Sequence, residues 1–239
     1  MIPEQQMYIT AAVVMAFVAL AFAFLVLRIT RERRVYYVPV PMLAAVMGLA
    51  YLLMSQGILE LQGPEGEAVV LPRLLGYAVV YTTLMVYIGA IGGLSRHEIA
   101  ILAGLNLAVI GCVSVSWLVP PPLGTAGSVV MVGLLAVTAY LLLFPYARIA
   151  AEREGERTLL YGKLRNLVLL LWGLLVVIGL ISTQGLGLLD RFAGIFVATY
   201  IDLLSVLGFG LILLRSRDAV DLLIEQDEQL VPAEADSAG

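Results

Sequence analysis

The sequence predicts an all-α membrane protein, a seven-transmembrane-helix bundle with its N-terminus outside and its C-terminus in the cytoplasm. Three observations predict it. The 239 residues are 61% hydrophobic and only 13% charged, whereas a soluble domain runs nearer half apolar and a quarter charged. Seven apolar stretches, at 7–27, 36–58, 69–94, 99–119, 127–147, 160–183 and 192–214, each approach or exceed the ~20 residues a helix needs to cross the hydrocarbon layer. Twelve of the fourteen Lys and Arg residues fall in gaps that share one side of such a bundle. The positive-inside rule makes that side the cytoplasm.

The first stretch follows Met1-Ile2-Pro3-Glu4-Gln5-Gln6, with no positive segment before it and no Ala-x-Ala site after it. It therefore reads as a retained helix and not as a signal peptide. Arg28, Arg31, Arg33 and Arg34 follow it on the cytoplasmic side. The second and third stretches are joined outside by Gly63-Pro64-Glu65-Gly66, a run with turn chemistry. The third opens with Arg73 after Pro72 and ends at a cytoplasmic turn, Ser95-Arg96-His97-Glu98, where His97 is expected to be solvated. Pro120-Pro121-Pro122 joins the fourth and fifth outside. Arg148, Arg153, Arg157, Lys163 and Arg165 surround the cytoplasmic gap after the fifth, Arg191 lies outside between the sixth and seventh, and Arg215 and Arg217 close the last. None of the stretches alternates polar and apolar residues as the strands of a membrane barrel do. Residues 1–217 thus form the transmembrane domain. Residues 218–239 carry seven acids and no base and are expected to be a solvated, disordered cytoplasmic tail, of which Asp218 to Gln229 can prolong the last helix by a few turns.

The same inventory excludes several classes. Net charge is −4 and there is no basic stripe, so no nucleic-acid partner is expected. One cysteine, Cys112, and one histidine, His97, cannot make an intrachain disulfide or a Cys/His zinc site. No Gly-x-Ser-x-Gly, His-Glu-x-x-His or phosphate-loop motif occurs, the loops are too short for a soluble catalytic domain, and no transporter-like internal repeat is visible. The expectation is a protein that is no enzyme, with no catalytic residues and no metal.

A few polar residues inside the apolar runs are candidates for an interior site. Asp202 lies ten to twelve residues from either end of the last stretch, near the bilayer midplane, where a charge costs on the order of 2.5–3.5 kcal/mol and is usually partnered inside the bundle. It reads either as a counter-charge for an ion or ligand or as a protonated group in a structural hydrogen bond. Arg73 can turn inward to Asp202 or snorkel to the outer surface. Tyr77 and Tyr81 share a helix face at i,i+4, Thr82 and Thr83 can bond back to the preceding turn, and with Tyr87 they suggest an inward polar seam. Gly89 and Gly93 form a weak Gly-x-x-x-Gly packing signal. Asn106 reads as glue between helices, and Trp172, too deep for an interfacial belt, as a core or pocket wall.

Leu164-Arg165-Asn166, Leu171-Trp172, Asp202 and the run Gly208-Phe209-Gly210-Leu211-Ile212-Leu213-Leu214-Arg215-Ser216-Arg217 resemble the last two helices of the bacteriorhodopsin-like, microbial (type 1) rhodopsins. Tyr51, Arg73 and Ala108-Val109-Ile110-Gly111 fall where that family has comparable residues. The resemblance implies seven helices, retinal carried on a lysine of the last helix, frequent trimers, and work as ion pumps or light sensors. By the same resemblance the retinal lysine should stand at position 206, which is Val206, and the only lysine in the chain is Lys163. The pump's proton acceptor would fall at Gly76, its donor at Tyr87, and its proton-release glutamates at Gln184 and Gly194. Its pocket aromatics would fall at Tyr77, Ser128, Leu175 and Gly179, with only Trp172 kept. Without the Schiff base, Asp202 is left to pair with Arg73, bond to Tyr51, or stay protonated.

The expectation is therefore an opsin-like protein of the cell membrane without covalent retinal. It would be a non-pumping regulatory or interaction protein, or a non-covalent carotenoid or lipid binder whose interior candidates are Asp202, Arg73, Tyr51, Tyr77, Trp172 and Asn106. A retinal-dependent pump or photoreceptor is the alternative that the resemblance alone implies, and a passive solute or ion pathway is a third. Its partners would be the bilayer, further copies of itself (a trimer by resemblance) or another membrane protein. One Lys against thirteen Arg, with an acidic tail, suits a salt-loving archaeon.

Overall fold

A computed structural model describes residues 4–64, 66, 68–182 and 186–224. Helix α1 (Glu4–Leu27) is followed by a short α2 (Arg31–Arg34), a 3-10 turn (Val35–Tyr37) and α3 (Pro39–Ser55). Strands β1 (Glu60–Gln62) and β2 (Ala68–Val70) pair antiparallel, with Glu60 opposite Val70. Helices α4 (Leu71–Gly92), α5 (Arg96–Leu118), α6 (Leu123–Leu143), α7 (Pro145–Ala151), α8 (Gly155–Ile181) and α9 (Arg191–Arg215) complete the described chain. Among the described residues, six helical segments are long and apolar enough to cross a membrane, counting α6 with α7 as one. The Arg31–Tyr37 and Pro39–Ser55 pair, bent by 41°, makes the seventh.

Element ends follow local chemistry. Pro39 and Pro72 sit in the first turns of α3 and α4, where their missing N–H costs no hydrogen bond. Gly93 ends α4 with φ +72°, and the N–H groups of Gly93 and Leu94 donate to the carbonyls of Ala90 and Gly89, a Schellman closure. Ser95 then caps α5: its hydroxyl accepts from the Glu98 N–H, while the Glu98 carboxylate accepts from the Ser95 N–H. The Asp190 carboxylate caps α9 by accepting from Ala193 N–H at 2.7 Å.

Two features differ from the sequence expectation. The second stretch ends at Ser55, not 58, because Gly57 and Leu59 turn the chain at positive φ into the hairpin. Residues Val69 and Val70, which hydropathy assigns to the third helix, belong to β2, and α4 starts only at Leu71 beside Pro72. The prolongation allowed from Asp218 is present in part, set off from α9 by a break at Ser216. Residues 217–224 are helical, Ala219 and Val220 are buried, and Arg33 donates to the Asp221 carboxylate at 2.6 Å. Residues 225–239 lie outside the described residues.

The core is built around α3, α4 and α9. Nine of the 17 residues of α3 are buried, as are half of the apolar stretch of α4 and 44% of that of α9, against 17–22% for α1, α5, α6 with α7, and α8. Close approach fixes their seats. A Cβ on Gly210 would lie 2.5 Å from the Phe22 ring and 2.8 Å from Val40, so α9 meets α1 and α3 nearly backbone to side chain. Phe17, Leu20, Val129, Leu170 and Leu211 are exposed on the outer surface. Acyl chains would cover such a belt at no hydration cost.

Candidate functional site

The interior polar cluster is assembled by three helices. Asp202, on α9, is fully buried. One of its oxygens accepts from the Tyr51 hydroxyl of α3 at 2.5 Å and the other from the Tyr77 hydroxyl of α4 at 2.7 Å. Arg73, one turn before Tyr77 on the same face of α4, brings its Nε to 3.7 Å from Asp202. Its Nη2 donates to Tyr51 Oη at 3.2 Å and to Thr199 Oγ1 at 3.5 Å, and the guanidinium carbon lies 5.4 Å from the centre of the Tyr51 ring. Of the two orientations open to Arg73, the structure takes the inward one: the residue is 9% exposed.

Each element places its contribution for a local reason. Arg73 and Tyr77 are held in the first turns of α4 by the Pro72 start. On α9, Thr199 and Ser205 flank Asp202 at i−3 and i+3. The Thr199 hydroxyl donates to the Ile195 carbonyl and the Ser205 hydroxyl to the Asp202 carbonyl, at 2.8 and 2.7 Å. The cluster is thus one carboxyl group and one guanidinium bridged by the Tyr51 phenol, with the Tyr77 phenol on the second carboxyl oxygen alone; with Asp202 ionised it is neutral as a whole. Neutrality is what a low-dielectric interior requires of buried charge.

An aromatic run continues from it. Tyr77 meets Tyr81 edge to face at 5.6 Å, and Tyr81 meets Trp172 of α8 at 6.3 Å between centroids. Trp172 and Tyr81 are both buried. Asn106 stands apart. It is buried on α5, and its amide donates to Thr82 Oγ1 at 2.9 Å, tying α5 to α4 away from Asp202. Thr83 bonds back to the Val79 carbonyl. Tyr87 donates to the Tyr36 carbonyl at 2.7 Å and packs edge-on against Phe209.

Val206 is 1% exposed on α9, one turn beyond Asp202. Lys163 is exposed in the third turn of α8. At Gly76, a Cβ would lie 2.8 Å from Met47 Sδ, so a side chain of α3 occupies the room a carboxylate would need there. Along one face of α8, burial falls from Trp172 through half-buried Leu175 to exposed Gly179, and Ser128 of α6 is exposed. Gly194 is half-buried, with only Ser182 near its Cβ position; Gln184 lies outside the described residues.

Sequence reasoning passed over Thr199, Ser205 and Met47. The first two carried a signal, a polar residue three positions either side of Asp202. Met47 carried none, because its role depends on which helix faces Gly76. Two arginines counted only as topology signals also have structural work. Arg157, buried, donates to the carbonyls of Ile91 and Ala90, and Arg153 to that of Gly93, so together they cap the end of α4. Among the described residues, no three His, Cys, Asp or Glu side chains are grouped to hold a metal.

Comparison with known proteins agrees with this architecture. The profile of the bacteriorhodopsin-like protein family matches residues 3–220. The chain is 29% identical over 210 residues to sensory rhodopsin-2 of Natronomonas pharaonis, covering 86% of this chain and 84% of that one. It is 28% identical over 197 residues to a bacteriorhodopsin of a Haloterrigena species, covering 80% and 78%. The crystal structure of a thermophilic rhodopsin from Rubrobacter xylanophilus superposes with a TM-score of 0.83 at 22% identity, covering 92% of this chain and 99% of the other. A match that runs nearly end to end, with relatives of comparable length and a shared seven-helix bundle, leaves one conclusion: the chain is a multi-pass protein of the cell membrane and belongs to the bacteriorhodopsin-like family of microbial rhodopsins.

Proposed function

We propose that this protein carries no covalent retinal and acts as a non-pumping membrane component, regulatory or interaction-based, whose interior takes up an apolar molecule of carotenoid or lipid type without a bond to it. The observation that carries the reading is Val206. It stands at the position the family resemblance assigns to the retinal lysine, and it is an isopropyl group packed in the core. The one lysine in the chain, Lys163, is exposed toward the cytoplasmic end of α8. A Schiff base needs an amine at the chromophore, so the residues present do not fit retinal as a covalent group.

Two further arrangements support it. In a pump, the counter-carboxylate balances the Schiff-base cation; here Asp202 has Arg73 as its cation and Tyr51 and Tyr77 as donors. The proton-acceptor position, Gly76, has its space filled by Met47. The apolar-ligand part of the reading rests on α6 and α8. Ser128, Leu175 and Gly179 replace bulky rings by resemblance; Ser128 and Gly179 are exposed and a Cβ at Gly179 would meet nothing within 4 Å, so the room they leave is reached from the surface of the bundle. Assembly into trimers, or with another membrane protein, belongs to the same proposal and rests on family likeness.

The relatives named above are sensory rhodopsins and bacteriorhodopsins, so the competing reading is a retinal-dependent photoreceptor or pump. Retinal supplied during expression, or added to the purified protein, separates the two. The expected result is no absorbance band red-shifted from free retinal and no light-driven proton current. A hydroxylamine-resistant visible band or a photocurrent from the unmodified chain would overturn the proposal.

A further inference from the structure

At the cytoplasmic end of α8 and α9 lies a groove of about 450 Å³, lined by Lys163, Leu211, Ile212, Arg215 and Ser216. We infer that this groove is a binding site for an anionic phospholipid, whose phosphodiester sits between Lys163 and Arg215 and whose acyl chain follows Leu211 toward the membrane interior.

The chemistry of the lining points to that class. Lys163 and Arg215 are exposed, and neither has an ion pair or hydrogen bond with any described residue. The Ser216 side chain likewise has no described partner, so a donor stands free beside the two cations. Several other basic residues are engaged: Arg33 pairs with Asp221, Arg191 with Glu4, Arg165 donates to Asn166, and Arg153 donates to the Gly93 carbonyl. What sets Lys163 and Arg215 apart from the exposed Arg31, Arg96, Arg148 and Arg217 is that the two line this groove together.

Directly below the charges the wall turns apolar. Leu211 is one helical turn from Arg215 on the same face of α9 and is 57% exposed. Cations above an outward-facing aliphatic surface reproduce the order of a phospholipid, headgroup over chain. A free phosphate would use the upper half alone. The basic asymmetry of the chain puts this end in the cytoplasmic leaflet, where anionic lipids concentrate and juxtamembrane Lys and Arg attract them. A second groove of about 530 Å³ shares Lys163 and adds Thr158 and Asn166, so polar groups continue around the end of α8. Asp218 is the nearest acid along the chain, with Arg217 between it and Ser216.

The site goes beyond the proposed function and stands or falls apart from it, since retinal plays no part. The full-length chain, reconstituted in nanodiscs of equal phosphatidylglycerol and phosphatidylcholine and released for native mass spectrometry, supplies the test. Phosphatidylglycerol should be retained in preference to phosphatidylcholine, and K163Q/R215Q should lower that retention on the order of tenfold or more. R96Q, which removes a cytoplasmic charge from the start of α5, should leave it unchanged, and millimolar inorganic phosphate should not displace the lipid. Equal retention by K163Q/R215Q, or an equal loss in R96Q, would overturn the site. Displacement by phosphate would overturn its assignment to lipid. Retention that appears only when the chain is ended after Ile224 would place the acidic tail in the groove instead.

Discussion

Asp202 and Arg73 are the charged members of the interior cluster, and the Tyr51 bridge between them, with Tyr77 on the second Asp202 oxygen, sets what single substitutions should do. Asp202→Asn keeps the shape but leaves the Arg73 guanidinium without its counter-charge, and removing one member of a buried pair costs about 3–5 kcal/mol. Thermal unfolding in detergent should show it as a clear drop in melting temperature, whereas an unchanged melt would mean that Arg73 does not depend on Asp202. Tyr77→Phe strands only one carboxylate oxygen, and the expected loss is smaller, about 1–3 kcal/mol. Gly76→Ala forces a Cβ onto Met47 Sδ and should cost about 1–3 kcal/mol by overpacking. In a Met47→Ala background most of that cost should disappear, which a double-mutant cycle would read directly; additive losses would mean that the two do not touch. Both charges were legible in the sequence because ionised residues in an apolar run are rare and need a reason. Which way Arg73 points was not, since a long side chain at a helix end has two stable solutions. Met47 was invisible, because its contact with Gly76 belongs to the packing of α3 on α4.

At the scale of elements, the turn from α4 to α5 concentrates the most local instruction. Gly93 adopts φ +72°, and a Cβ there would also run into the Arg153 guanidinium. Gly93→Ala should therefore destabilise by more than about 1 kcal/mol, and Arg157→Leu should do so as well by removing the donors to the Ala90 and Ile91 carbonyls. Both are measured by thermal unfolding, and a neutral Gly93→Ala would show that the turn relaxes without strain. The capping signals here, Ser95 with Glu98 and Gly93 before them, could be read from the chain because each acts within five residues. The hairpin could not. Ala68-Val69-Val70 is apolar enough to pass as the start of a helix, and only its pairing with Glu60–Gln62 makes it a strand. Likewise the helical segment at 217–224 owes its place to the Arg33–Asp221 pair and the burial of Ala219 and Val220. These contacts bridge distant positions, and the acidic composition of the tail concealed them.

For the whole molecule, hydropathy and basic asymmetry sufficed to give the seven-helix count, because a membrane leaves a hydrophobic chain few other ways to satisfy its backbone. The basic asymmetry also predicts the orientation. In a Cys112→Ser background, a cysteine at Gln62 in β1 should label from outside and one at Asp218 from the cytoplasm; labelling of both from one side would contradict the seven-helix topology. The central claim is that this rhodopsin-family bundle no longer holds retinal covalently, with the interior charge balanced by Arg73 where a Schiff base would otherwise do so. The most direct test is to incubate the purified protein with all-trans retinal, reduce with borohydride to trap any imine, and weigh the intact chain. The mass should be that of the unmodified polypeptide, whereas a stoichiometric retinyl adduct formed together with a visible absorbance band would contradict the claim.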